Sequence, residues 1–371
     1  MEDLIFLILS FLSLINANVK CGNKFFTDYM DLENTYNVRG VFVWMIVFRH
    51  STGYYYRNPK KTSIIIDESF QQNIVSLFLF YSGYGIYKSF SKKGASYIKT
   101  LPIKSIILFI KTQLILLLFL LTNKILKKKI TLKDYFYAVI LKKSIGNSYW
   151  FAFAIISFYI EAFFSFILIR NKKYNFIGII FLTIICYFHV KYAHKYYYPK
   201  DPVYNLDTVM CFIPGLYYCF FQSYLDKIIM LNDIIYLGFM SIIIYFYYKF
   251  HLHPKEGLLL YRSIKNCIFC IVAVLLTMKI QLKNDFLKFL STHSYSIYLL
   301  QRMVFIYIRQ KGILKNNTFI RFCFQFSLIL LISCIFDRIT IYIDILFKKC
   351  INRKNTKKNN HNNNTKIIEL S

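Results

Sequence analysis

The sequence predicts an all-α, polytopic transmembrane helical bundle of about ten spans, with an extra short apolar segment at its N-terminus. Three observations lead there. Of 371 residues, 56% are hydrophobic and 19% aromatic, including 32 Tyr and 38 Phe; a water-soluble domain of that make-up would be sticky over most of its surface. The apolar residues gather into recurring runs, such as IILFIKTQLILLLFLLT at 106–122 and MSIIIYFYY at 240–248. About 20 such residues, rising ~1.5 Å each, cross a hydrocarbon core of roughly 30 Å. Between the runs stand Lys-rich or polar breaks suited to lipid headgroups. A compact soluble enzyme, a fibrous protein and a disulfide-knotted secreted domain are excluded.

The net charge is +29, from 47 Lys and Arg against 18 Asp and Glu. Because the Lys residues sit mainly in the breaks, the lipid bilayer is the expected partner and nucleic acid is not. The nine Cys lie mostly inside apolar runs, where thiols behave as small hydrophobes. Cys267 and Cys270 form a lone CxxC without a second pair, and His251 and His253 have no further ligand nearby, so packing is the better account and no metal site is expected.

Taken in order, 4–16 (LIFLILSFLSLIN) has signal-peptide length behind an acidic leader, and reads equally as a cleaved signal, a short span or a surface helix. Residues 1–34 are this segment and its polar lead-in. The membrane domain is expected at 35–348, with spans near 40–56, 70–87, 101–123, 148–169, 174–190, 208–224, 228–248, 257–278, 286–308 and 318–347. YFYAVIL at 135–141 is too short to cross and reads as an interfacial helix. From 349 to 371 the Lys/Asn-rich composition (RKNTKKNNHNNNTK) predicts a disordered tail. Basic loops at 88–104 and 124–133 nearly cancel, so charge does not set the orientation.

Ionisable groups inside spans are costly and therefore functional candidates. In the first span Arg39 and His50 are eleven residues apart, about three helical turns, which puts them on one stripe roughly 16 Å apart. Arg39 is expected at the water boundary and His50 deep. That arrangement suits an anionic donor gripped at the mouth, with His50 as general base; a bundle histidine and an interfacial anchor are the bland alternative. Glu161, mid-run in SFYIEAFFSF, needs a partner such as Arg49 or His50, or else locks two helices. Ser82 and Gly83, beside Tyr84, allow a backbone or a ligand to come close. Tyr298 and Gln301 share a helical face and point into a cavity or cross-link helices. Asp337 and Arg338 are given no chemistry.

Together these pieces resemble the acyltransferase-three family of integral-membrane acyltransferases. Arg39-Gly40 followed by an apolar stretch to His50 resembles its Arg-x10-His signature. LFLFYSGYGIYKSF at 77–90, Tyr149-Trp150-Phe151, and SYSIYLLQ at 294–301 are similar to later family segments in order and spacing. The resemblance implies transfer of an acyl group, often acetyl, from acyl-CoA to a hydroxyl of a carbohydrate, glycolipid or related acceptor. His50 would be the base and Arg39 a donor-binding residue, with Glu161, Tyr298 and Gln301 as substrate-binding candidates and Ser82, Gly83, Tyr84 and Trp150 as motif or packing positions. No permanently bound cofactor is implied; acyl-CoA (acetyl-CoA) is a co-substrate. Two departures stand out: Gln301 occupies a position where many members have His, and the loop after the second span carries Lys in place of paired Arg, a point charge where a bidentate fork is usual. A transporter or flippase of a polar lipid or sugar is the alternative, but half-symmetry is absent and Gly and Pro number only 12 and 6.

Overall fold

A computed structural model describes residues 2–55, 73–140, 144–167, 169, 174–196, 206–252, 259–315 and 317–368. It is 83% helical. The helices are α1 (Glu2–Leu14), α2 (Leu32–Tyr55), α3 (Asn73–Lys93), α4 (Ala95–Ile98), α5 (Leu101–Ile125), α6 (Leu132–Val139), α7 (Tyr149–Ile167) and α8 (Asn175–Tyr196). They continue with α9 (Leu206–Val209), α10 (Phe212–Ile229), α11 (Asp233–Leu252), α12 (Leu259–Thr277), α13 (Asp285–Thr292), α14 (Ser294–Lys311) and α15 (Thr318–Ile368). Two short strands, β1 (Asn18–Val19) and β2 (Ile280–Gln281), pair antiparallel.

The expected spans fall on helices, the sixth across α9 and α10 and the ninth across α13 and α14, but among the described residues six helices are both long and apolar enough to cross a membrane: Ala95–Ile125, Trp150–Ile167, Asn175–Tyr192, Asp233–Phe250, Leu259–Thr277 and Thr318–Leu346. The count of ten is therefore not reached on length and composition. The physical reason lies in α2, α3, α10 and α14, which are long but more polar. They form the inside of the bundle, where Trp44, Val47, Leu77, Phe80, Phe212, Leu216, Leu300 and Phe305 are almost wholly buried. A helix enclosed by protein can carry polar side chains that a lipid-facing one cannot. By contrast α11 exposes Ile234, Leu237, Ile242 and Tyr245.

Small residues bring the inner helices together. A Cβ added at Gly83 of α3 would lie 2.0 Å from the Phe212 carbonyl oxygen, and one at Gly215 of α10 would lie 2.0 Å from that of Phe80. This reciprocal contact lets two backbones touch. Gly40 serves α2 and α13 in the same way, with the Leu287 carbonyl oxygen 2.1 Å from its would-be Cβ.

Three expectations change. The helix of the first expected span, α2, starts at Leu32, well before the apolar run, with Asn34 Nδ2 donating to the Asp28 carbonyl (2.7 Å) and Asn37 Nδ2 to that of Glu33 (3.1 Å). Arg39 consequently sits seven residues, ~10 Å, inside α2 rather than at its boundary. The ninth span is broken at His293 into α13 and α14. α15 runs on through the Lys/Asn-rich tail to Ile368. Finally, α1 is docked on the bundle: Ile5, Leu9 and Ser13 are buried, and Trp44 Nε1 donates to Ser13 Oγ at 2.9 Å. At 13 residues it is ~20 Å long, too short to cross. His253 lies outside the described residues.

Candidate active site

One stripe of α2, with residues at i, i+4 and i+7, faces a cavity of about 230 Å³. Arg39, Val43 and Ile46 form that wall. Phe151, Ile155 and Tyr159 of α7, at i, i+4 and i+8, add a second stripe, Phe78 and Ser82 come from α3, and Leu108 from α5. α14 closes the cavity with Ser294, Tyr295, Ile297, Tyr298 and Gln301. The lining is mostly apolar, with one cation and three phenols. Its volume is below the ~300–1,000 Å³ of sites enclosing a whole drug-sized ligand, so it holds part of a molecule.

Arg39 is bonded through Nε to the Thr35 carbonyl (3.3 Å), and its guanidinium stacks 4.5 Å from the Tyr36 ring centroid. Its electrostatic neighbours are the phenols of Tyr36, Tyr81 and Tyr159. Among the described residues no carboxylate pairs with it, so its remaining N–H groups are available to an anionic or carbonyl ligand. Tyr159 in turn neighbours Tyr97 of α4, over which Lys104 Nζ sits at 4.3 Å, so the basic segment 88–104 adjoins the Arg39 end.

His50 continues the stripe one turn past Ile46 and is half-buried, beyond the residues that form the cavity wall. The charges of Arg49 and Arg302 both act on it, and both act on Tyr298. Arg302 was not singled out from sequence; the only signal was its place beside Gln301. Gln301 is fully buried, and its Nε2 donates to the Tyr298 carbonyl at 3.2 Å. A carbonyl can only accept, so the amide orientation is fixed and Oε1 is left without a partner. The buried Tyr81 hydroxyl near Arg39 is likewise unpartnered. The orphaned Gln301 Oε1 in the cavity wall calls for a ligand that supplies its hydrogen bond.

The other positions separate. Ser82 lines the cavity, whereas Gly83 packs on α10 and Tyr84 donates to Gln222 Oε1 at 2.8 Å, away from it. Trp150 packs behind the wall, its ring 6.4 Å from Tyr298 and 5.9 Å from Phe151. Glu161 does not reach the cavity, Arg49 or His50. Two residues after Tyr159 it points across the helix to α8, where it pairs with His189 and accepts from Cys186 Sγ at 3.0 Å. Asp337 does not pair with Arg338; it accepts from His293 Nδ1 at 2.5 Å and from Ser296 Oγ. The CxxC thiols pack against a third, with Cys211 Sγ 3.7 Å from Cys267 Sγ.

An apolar bundle of helices holding a cavity with a cation in its wall defines a multi-pass membrane protein. A family model described as an acyltransferase domain, the acyltransferase-three family, matches residues 34–338. The chain belongs to that family and is a membrane acyltransferase. No curated protein and no solved structure matches it.

Proposed function

We propose that the chain moves an acyl group, acetyl in the first instance, from acyl-CoA to a hydroxyl of a carbohydrate or related acceptor, within a bundle in which the four polar inner helices complete ten spans. The observation that carries this is the single stripe Arg39–Val43–Ile46–His50, three members of which line the cavity. The donor's negative charge is drawn to Arg39 and the neighbouring Lys residues of 88–104, while its acyl end occupies the apolar middle. Gln301 Oε1 and the Tyr298 hydroxyl supply an acceptor and a donor near the reacting groups.

His50 takes the proton of the acceptor hydroxyl as that oxygen attacks the thioester carbonyl carbon. The tetrahedral intermediate collapses with cleavage of the C–S bond, and the proton passes to the departing thiolate. The products are an ester and free CoA, with no net proton released. In this reading Arg302 and Arg49, whose charges act on His50, stabilise the negative charge that develops on the carbonyl oxygen. The test is His50→Ala in membranes supplied with labelled acetyl-CoA. Transfer should be lost while expression and donor retention persist; full activity in the variant rejects the assignment.

A further inference from the structure

α5, α14 and α15 meet along a seam on the outer flank of the cavity, and this seam carries ionic groups. His293, at the break between α13 and α14, is held by Asp337 of α15, which also accepts from Ser296. Lys111 of α5 pairs with Asp344 of α15 at 3.0 Å. His293 lies eight residues after the start of α13 and Lys111 ten after that of α5, while on α15 Asp337 and Asp344 stand nine and two residues before Leu346. Thr112 next to Tyr295, and Leu126 next to Gln310, show that α5 and α14 run parallel from one face of the bundle.

The pairs are not sealed in. The side chains of His293 and Asp337 are 20% and 28% exposed, and those of Lys111 and Asp344 are 18% and 31% exposed. Charged groups within spanning helices are costly where they are open to hydrocarbon, whereas a watery cleft removes that cost. The seam also borders the cavity directly. Tyr295 lines the cavity, and its hydroxyl is hydrogen-bonded at 2.8 Å to Thr112, the residue after Lys111. That contact, with a weaker one to the Leu108 carbonyl (3.4 Å), ties the ring to α5.

We propose that the seam between α5, α14 and α15 is a hydrated path from this face to the cavity, along which a polyhydroxylated acceptor presents its hydroxyl past Tyr295. The identity of the traveller rests on the transferase reading; the path does not. Its chemistry differs from that of the Arg39 end. There a cation without a carboxylate favours an anion, whereas here each cation or imidazole stands beside a carboxylate. Alternating donors and acceptors with little net charge fit a neutral polyol or sugar headgroup better than a phosphate.

The experiment uses the full chain in sealed vesicles, with His293→Cys and Asp337→Cys as two independent probes and Leu331→Cys as the reference. Leu331 is 58% exposed on the apolar side of the same helix. A water-soluble trimethylammonium methanethiosulfonate reagent should modify positions 293 and 337 at least ~10-fold faster than 331, with labelled sites located by mass spectrometry. Equal or slower modification at both overturns the path. Modification should then reduce acetyl incorporation from labelled acetyl-CoA into the glycan fraction at least ~10-fold without changing acetyl-CoA retention. Loss of both, or of neither, overturns the acceptor route. Fast labelling in membranes that transfer no acetyl before or after modification removes the transferase reading and leaves the hydrated path standing.

Discussion

Replacing Gly40 by Ala tests whether helix contact at the Arg39 signature sets the geometry of the site. The added Cβ would lie 2.1 Å from the Leu287 carbonyl oxygen, 2.6 Å from its carbon and 2.7 Å from its Cα. All three are backbone atoms, so no side chain can swing aside. Ordinary contact needs about 3.4 Å, and α13 must move away from α2 by roughly 1.3 Å. Overpacking of this kind costs about 1–3 kcal/mol. The larger effect is on chemistry, because α13 leads into α14, which carries Tyr298 and Gln301. A displacement near 1 Å of positioning groups lowers rate by about 100-fold. Gly40→Ala should therefore transfer acetyl from labelled acetyl-CoA about 10- to 100-fold more slowly, with a lower thermal midpoint in detergent. Gly238→Ala, whose new methyl meets nothing within 4 Å, should match or slightly exceed the native midpoint. Native rate and midpoint in Gly40→Ala would show that the helices do not meet this way.

The remaining expectations concern single side chains. Gln301→Leu removes the unpartnered acceptor from the cavity and should lower transfer efficiency about 3- to 10-fold, the worth of one hydrogen bond, with thermal stability unchanged; unaltered steady-state kinetics would show that Oε1 meets no substrate. Glu161→Ala leaves His189 without its carboxylate partner between α7 and α8. The two side chains are 18% and 12% exposed, so losing the contact costs about 1–3 kcal/mol, and thermal stability should fall while the KM for acetyl-CoA in surviving protein stays native. A raised KM at native stability would return Glu161 to substrate binding. Tyr295→Phe frees the ring from Thr112 and should change the KM for the acceptor more than that for acetyl-CoA, measured by varying each in turn.

Much of the bundle was legible because apolar runs bounded by Lys leave few alternatives to helices in lipid. The Arg39 stripe was legible for the same reason: three turns of helix bring residues eleven apart onto one face whatever surrounds them. What periodicity does not encode is which neighbour a face meets. Of the two readings of Glu161, a contact with Arg49 or His50 and a pair locking two helices, the second is the one observed, and its partner His189 on α8 carries no local mark of the pairing. The break at His293 contains neither Gly nor Pro, and the carboxylate that bridges it is 44 residues away at Asp337. Attention to charge also hid the phenols. Tyr159 and Tyr295 line the cavity on stripes that read as ordinary aromatic packing.

The small ribbon between β1 and β2 has a consequence for how the chain is made. Asn18 pairs with Gln281, about 260 residues downstream. The Lys20 amide donates to the Lys279 carbonyl at 2.9 Å, and Asn284 Nδ2 donates to the Leu12 carbonyl at 2.6 Å. At about 5–20 residues per second, a ribosome needs roughly 13–50 s to bring the second strand out after the first. Throughout that interval α1 can already dock on α2 through Trp44, but the strand at Asn18–Val19 waits unpaired until the late segment arrives.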